Sequence, residues 1–237
     1  MSCCDGDEGG PGCTCGARAR ARGNYLFNSE IRIGETLKDF TLNEIKNEPM
    51  LFNCDLKHAL ELGGPLTHEF LDNLPGKWLK SKDLVIDSRV HMLMAGWFPC
   101  IPGFHHDDVP RERKDGQPNY DNPSYKAEHA LALIGDCCPT EFALGSAEFP
   151  EIKEGEKYYK IWHPLVVEKI KNGELKSFNT PSNKIIYFDW NTWHQGIRAQ
   201  KDGWRWFIRA SRNTGRKPTN ELRRQVQVYL DNPMEGW

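Results

Sequence analysis

From about residue 84 the chain consists of short apolar or alternating runs separated by turn-forming Gly, Pro, Asn and Asp. The runs cover residues 84–86, 90–98, 129–134, 141–144, 184–188 and 204–211. The alternation of Val226, Val228 and Leu230 predicts one further strand. Many short strands joined by turns are typical of a sandwich or a barrel. We therefore expect a mostly β fold whose core strands lie between about residues 84 and 212.

The segments around these strands predict flanking helices and one long loop. Residues 41–45 and 65–74 have the pattern of short helices, and Thr67 is a candidate cap for the second one. Residues 163–172 carry apolar side chains at helical spacing. The polar, turn-rich residues 111–126 predict a loop over a site.

The length of 237 residues is one at which all-β proteins fold as a single unit. We therefore expect one domain over residues 23–237. Residues 1–22 are rich in Gly and Cys and have almost no large apolar side chain, which predicts a disordered tail. A thiolate metal site formed by its four cysteines is the alternative, although their spacing fits no structural zinc pattern.

The formal net charge of −2 indicates no global preference for nucleic acid or an anionic membrane. No run approaches the roughly 20 apolar residues that span a bilayer, and residues 1–16 lack the apolar core of a secretory signal. Without an export route, the eight cysteines are expected to be reduced. These features together predict a cytoplasmic protein without a membrane partner.

Four candidate metal ligands follow a Pro-Gly turn in consecutive positions. In an extended chain residues i and i+2 share a face, so either His105 with Asp107 or His106 with Asp108 can meet one ion. His194, which follows a strand and a turn, can supply a third ligand. Two histidines and one carboxylate leave three positions of an octahedral ion open, the arrangement found in non-haem Fe(II) oxygenases.

Residues 203–212 alternate as a strand that carries Arg205, Phe207, Arg209 and Ser211 on one face. An arginine held on a core strand needs an anion, and a planar guanidinium can bind a carboxylate through two hydrogen bonds. Arg209 with the Ser211 hydroxyl is therefore a candidate carboxylate site. The alternative is that the arginines face solvent while the tryptophans of this strand form the core.

These elements resemble the Fe(II)/2-oxoglutarate-dependent dioxygenase superfamily, whose fold is a double-stranded β-helix, or jelly roll. The resemblance covers residues 84–212, and its Pro-Gly-aromatic-His-x-Asp motif is similar to that of phage and bacterial members. It implies that iron is bound by His105, Asp107 and His194.

For 2-oxoglutarate, the resemblance implies binding by Arg209, which lies 15 residues after His194, together with Ser211. Other branches of the superfamily use a spacing of 11 residues, which would assign this role to Arg205. Both arginines therefore remain candidates.

The resemblance implies an oxygenase that uses Fe(II), 2-oxoglutarate and O2 and hydroxylates an unactivated C–H bond with release of succinate and CO2. Its substrate could be a small molecule, a peptide or a nucleotide. The basic residues between 198 and 224 permit an anionic partner such as nucleic acid, although a solvated basic face is favoured. Oligomeric state is not indicated.

Two functions of other classes stay open. One is a jelly-roll protein that binds or senses a metal without oxygenase turnover. The other is a hydrolase or isomerase on a cupin-like barrel that uses a different metal.

Overall fold

A computed structural model describes residues 24–122, 124 and 126–230 of the chain. The expectations for residues 1–22, both the disordered tail and the thiolate site, lie outside the described residues. The strands of the described part are β1 Asn24–Ser29, β2 Ile31–Thr36, β3 Leu51–Phe52, β4 Val85–Leu93, β5 Glu128–Ile134, β6 Thr140–Pro150, β7 Lys176–Asn179, β8 Lys184–Asp189, β9 Trp193–Gly196, β10 Gly203–Arg212 and β11 Glu221–Leu222. Its helices are α1 Leu42–Asn47, α2 Leu56–Leu62, α3 Pro65–Asp72, α4 Gly76–Leu79 and α5 Tyr158–Lys171.

Two antiparallel sheets form the body of the protein. The larger sheet has the strand order β2-β8-β5-β10-β4. In the smaller sheet, β6 pairs with β7 and β9 through its first half and with β1 through its second half. The sheets do not close into a barrel. The prediction of a mostly β fold with flanking helices is confirmed, and each of its six runs overlaps a strand of the two sheets, although the run 90–98 continues past the end of β4.

The first two predicted runs belong to one strand, β4, that continues through Asp87, Ser88 and Arg89. We predicted two separate runs because these polar residues resemble a break between strands. They alternate across the pleat instead, so Asp87 and Arg89 face one side of the sheet while Ile86 and Val90 pack on the other. Asp87 and Arg89 therefore lie on the sheet face that borders a cavity.

Helices α1 to α4 cover the outer face of the larger sheet. Their apolar side chains, including Phe70 and Trp78, pack in one cluster with Trp206 and Ile208 of β10. A second cluster lies between the sheets and contains Leu131 and Phe142. A third, largely aromatic cluster lies under α5. None of the helices in the described part of the chain has the length and apolar character that crossing a bilayer requires.

The N-terminus of α3 is capped from outside the helix by Glu48. Its carboxylate, 4% exposed, accepts hydrogen bonds from the backbone N–H groups of Gly64, Leu66 and Thr67 at 3.0, 3.1 and 2.9 Å. The Thr67 hydroxyl also donates to it, at 2.6 Å. The prediction that Thr67 caps the helix was wrong, because a carboxylate distant in sequence satisfies these donors and also favours the positive end of the helix dipole.

Two further expectations differ from the structure. Residues 226–230 form no strand; the segment makes a single bridge between Tyr229 and Phe98, and only β11 before it pairs as a strand, with β3. The loop at 111–126 is present, but it packs against α5, where Arg113 donates a hydrogen bond of 3.0 Å to the Tyr158 hydroxyl.

We expect Glu48→Ala to lower the free energy of unfolding by about 3 kcal/mol, because it leaves buried N–H groups of α3 without an acceptor. Urea unfolding followed by circular dichroism measures the change. Glu44→Ala is the matched control, since Glu44 closes the exposed capping box of α1, where water can replace the lost hydrogen bonds, and its loss should cost clearly less. Equal losses in the two variants would contradict this account of Glu48.

Candidate metal centre

His105 and His194 are brought together by backbone pairing. The His105 N–H donates to the His194 carbonyl at 3.0 Å, and the His194 N–H donates back to the His105 carbonyl at 3.2 Å. Residues that face each other across an antiparallel bridge project their side chains to the same side. The two imidazole centroids are consequently 4.6 Å apart.

Asp107 completes the group because it lies two residues after His105 in extended chain and shares its face. Its Oδ2 is 3.1 Å from Nε2 of His194, and its Oδ1 is 3.7 Å from Nε2 of His105. One ligand atom from each of the three residues lies within 4.8 Å of the other two. The structure therefore brings together the three residues expected to bind a metal.

Both histidines are oriented by the carbonyl two residues earlier. Nδ1 of His105 lies 2.8 Å from the Gly103 carbonyl, and Nδ1 of His194 lies 2.9 Å from the Thr192 carbonyl. A carbonyl only accepts hydrogen bonds, so Nδ1 carries the proton and the Nε2 lone pair is available to a metal. Gly103 has a φ of 114°, which a residue with a Cβ rarely adopts, so this turn requires glycine.

The protonation states of the group suit metal binding. Burial opposes ionisation of Asp107, but the contacting Arg209 guanidinium and then His194 hold its pKa well below the usual value. Burial, followed by the charge of His194, lowers the pKa of His105 to about 3. A neutral imidazole and an ionised carboxylate are the forms that bind a metal. Two imidazole nitrogens and one carboxylate oxygen at a buried wall fit Fe(II).

The other candidate pair has different surroundings. His106 is buried against Trp193, with ring centroids 3.7 Å apart, and its Nδ1 is 2.8 Å from the Tyr120 hydroxyl. Asp108 has a φ of 53°, and its Oδ1 is 3.5 Å from Nε of Arg216. Neither His106 nor Asp108 belongs to the group around His194.

Arg209 and Ser211, the residues expected to bind 2-oxoglutarate, contact different side chains. Arg209 contacts Asp107, and its Nη2 is 3.9 Å from Oδ2 of Asp108. Ser211 is fully buried, and its hydroxyl lies 2.9 Å from Nδ1 of His129. The structure therefore engages Arg209 with carboxylates and Ser211 with a histidine, and of the two only Arg209 lines the cavity described below.

Arg205 is buried without an acidic partner. It is 3% exposed, its Nε donates to the Cys138 carbonyl at 2.7 Å, and its Nη2 is 3.3 Å from the Thr140 hydroxyl. No carboxylate of the described residues lies within ion-pair distance of it. Burial accordingly lowers its pKa. A buried guanidinium of this kind is stabilised by an anionic ligand.

One cavity of about 550 Å³ joins these residues. Its floor is a double row of side chains from β4 and β10, in which the register pairs His91 with Arg205, Arg89 with Phe207 and Asp87 with Arg209. Other walls are formed by the three metal-centre residues, the 99–101 turn and residues 223–229. No described residue of the 111–126 loop lines it.

The contribution of β4 to this cavity was not predicted from the sequence. Asp87, Arg89 and His91 stand at alternate positions of β4, and that period of two was the available signal. On β10, both faces are covered: the arginine face borders the cavity and the tryptophan face packs under the helices. The tryptophan face therefore forms core, as the alternative held, but the arginines do not face solvent: Arg205 is 3% exposed and the Arg209 side chain 15%.

No family model matches the chain, and no curated protein matches it. Among solved structures it is similar to HygX from Streptomyces hygroscopicus with nickel and 2-oxoglutarate bound, at 13% identity over 80% of this chain and 81% of that one, with a TM-score of 0.41. HygX has also been crystallised with iron.

Two other similar structures are oxygenases by name. ThoJ, a non-heme monooxygenase, has 10% identity over 78% of this chain and 74% of its own, with a TM-score of 0.39. A 2OG-Fe(II) oxygenase family oxidoreductase from Burkholderia pseudomallei has 11% identity over 84% and 72%, with a TM-score of 0.31. Likenesses at this level assign neither a family nor an activity to this chain.

We expect Asp107→Asn to weaken Fe(II) binding by more than about 100-fold, since losing residues that merely orient metal ligands already costs 10- to 100-fold. Asp108→Asn is the matched control, because it makes the same change next in the chain and Asn tolerates the positive φ. Anaerobic iron titration measures both. Iron lost from Asp108→Asn but kept in Asp107→Asn would assign the metal to the other ligand pair.

Buried His91 predicts a pH dependence of stability. Burial and then Arg205 lower its pKa from 6.5 to about 3, so below pH 6.5 the unfolded chain takes up a proton that the folded protein does not. The free energy of unfolding should therefore decrease as the pH is lowered through this range. His91→Asn should reduce that slope by up to about 1.4 kcal/mol per pH unit. Urea unfolding of the metal-free proteins between about pH 6.5 and 5 measures the slopes, and equal slopes would contradict the prediction.

Proposed function

We propose that this protein is an Fe(II)- and 2-oxoglutarate-dependent oxygenase. One observation carries the proposal: a buried His-Asp-His group faces the same cavity as an arginine that has no carboxylate partner among the described residues. The first feature suits a metal with open positions, and the second suits the far carboxylate of a dicarboxylate. A metal-binding protein without this chemistry has no need for the second feature.

In this proposal His105, Asp107 and His194 hold iron. Iron and 2-oxoglutarate, when bound, supply the activation of O2 that hydroxylates an unactivated C–H bond, with release of succinate and CO2. The protein keeps His105 neutral and Asp107 ionised. Leu131 and Phe207 line the cavity with apolar surface, which limits the access of water.

We propose that Arg205, with the Thr140 hydroxyl beside it, binds the distal carboxylate of 2-oxoglutarate. Arg209 is already engaged with Asp107, whose charge it partly neutralises, whereas Arg205 contacts neutral acceptors alone. The assignment of Arg209 and Ser211 from the 15-residue spacing remains the alternative, and variants of the two arginines distinguish them.

We further propose that the two sheets are those of a double-stranded β-helix. The order β4-β10-β5-β8 in one sheet and the pairing of β9 and β7 on either side of β6 in the other support this topology. The bridge between residues 105 and 194 adds a further pairing beside β9. In such an arrangement the metal ligands lie on the smaller sheet and the arginine on the larger one, so the cofactor site lies between them.

Anaerobic titration of the iron-loaded protein with 2-oxoglutarate tests the function. We expect a weak visible charge-transfer band from the chelate. Arg205→Lys should weaken 2-oxoglutarate binding by about 30-fold, or ~2 kcal/mol, while iron is retained, since Lys keeps the charge but loses the paired hydrogen bonds. Arg209→Lys, the matched control, should have a smaller effect.

The outcomes separate the parts of the proposal. Iron binding without a 2-oxoglutarate band would exclude the oxygenase and favour a metal-binding or sensing protein. A strong loss in Arg209→Lys with a silent Arg205→Lys would assign 2-oxoglutarate to Arg209. Oxygen uptake coupled to succinate formation in the wild-type protein would complete the case for turnover.

A further inference from the structure

Arg89 lies on the cavity floor in the middle of β4, opposite Phe207 of β10. No carboxylate of the described residues is within ion-pair distance of it. Its neighbours along the strand face are Asp87 on one side and His91 on the other. Asp87 is directed instead toward Arg216, at 3.1 Å from Nη2.

A second arginine enters the cavity from the C-terminal segment of residues 221–230, which we call the strap. The strap is fixed by the hydrogen bond from the Arg223 N–H to the Met50 carbonyl, 2.8 Å, and by the bridge between Tyr229 and Phe98. The Arg223 side chain, half-buried, packs over the Phe52 ring at 4.2 Å and lies in the cavity wall.

Arg223 has a weak ion pair and a like-charged neighbour. Its Nη2 is 3.4 Å from Oδ1 of Asp87, a carboxylate that Arg216 also binds. Burial and then the charge of Arg89 lower the pKa of Arg223. The two guanidinium groups therefore repel each other within a partly desolvated space, where charge interactions are stronger than in water.

The charges around the cavity do not balance. Five arginines line it against two aspartates, and Asp108 lies just behind the wall. Arg209 and Arg216 are engaged by these acids, and bound 2-oxoglutarate would engage Arg205. A divalent iron and a dianionic 2-oxoglutarate cancel each other, so the excess positive charge at Arg89 and Arg223 persists in the loaded protein.

We propose that the substrate is a small molecule carrying a phosphate or carboxylate group, which Arg89 of β4 and Arg223 of the strap bind between them. This inference rests on the proposed function, because it takes iron and 2-oxoglutarate as bound in the same cavity. Two guanidinium groups, one on the cavity floor and one in the wall, match the several acceptor oxygens of such an anion. A cavity of about 550 Å³ is in the range that small-molecule ligands occupy.

The same geometry argues against a basic surface for nucleic acid. Of the basic residues between 198 and 224, four arginines line the cavity, namely Arg205, Arg209, Arg216 and Arg223. They line one concave cavity together with His105, Asp107 and His194, instead of forming an external stripe along which a nucleic-acid backbone could lie. The anionic group of a small substrate is thereby held beside the reaction centre, which positions the rest of the molecule for oxidation.

The test uses full-length iron-loaded protein, kept anaerobic and saturated with 2-oxoglutarate, at constant ionic strength. Inorganic phosphate and acetate are titrated separately by calorimetry while the chelate band is monitored. We expect one of them to bind with the band retained, and Arg89→Gln and Arg223→Gln each to weaken that binding at least about tenfold. The stronger probe identifies the substrate as a phosphate ester or a carboxylate.

Arg32→Gln is the matched control, because exposed Arg32 lies on β2 at the other edge of the same sheet and packs over Tyr187. It should leave the anion affinity unchanged. Relaxation of the phosphate ³¹P signal provides a second measurement, since phosphate bound in this cavity should relax faster in the iron-loaded than in the zinc-loaded protein.

Failure of the inference differs from failure of the proposed function. Absence of the chelate band would overturn the function itself. With the band present, the inference is overturned if neither anion binds, if the anion displaces 2-oxoglutarate, or if Arg32→Gln weakens binding as much as Arg89→Gln does. It is also overturned if Arg89→Gln and Arg223→Gln both leave the anion affinity unchanged.

Discussion

The antiparallel bridge between residues 105 and 194 is the contact on which the site depends. Its two backbone hydrogen bonds set the separation of the imidazoles, and the pleat of the extended chain then directs Asp107 to the same side. Each imidazole is further fixed by a carbonyl two residues before it. The candidate metal centre is thus organised by main-chain geometry.

The second constraint is the concentration of charge on the inner face of β4 and β10. Asp87, Asp107 and Asp108 are each close to at least one arginine, so these carboxylates and guanidinium groups stabilise each other in a desolvated space. Arg205 and Arg89 lack such a partner. These two arginines, together with Arg223, which shares Asp87 with Arg216, are the ones proposed to bind ligands, and all three line one cavity.

Much of the fold could be predicted from periodicity, because alternation and turn residues are local properties of the chain. The strands between residues 84 and 212 are confirmed on that basis. The capping of α3 could not be predicted, since Glu48 is 16 residues from the Gly64 N–H that it accepts. Residues 226–230 alternate like a strand, but they make only the one bridge at Tyr229, because alternation does not supply a partner edge.

For the site, the sequence by itself determined the donor types and limited the ligand pair to His105 with Asp107 or His106 with Asp108, since residues two apart along an extended chain share a face. It also determined that Arg205 and Arg209 share a face of one strand. Only the tertiary structure decided that His194 meets the first pair and that Arg209 is engaged by Asp107 while Arg205 has no acidic partner. Those outcomes depend on which strands pair with each other. The local sequence does not specify pairing between segments that are far apart along the chain.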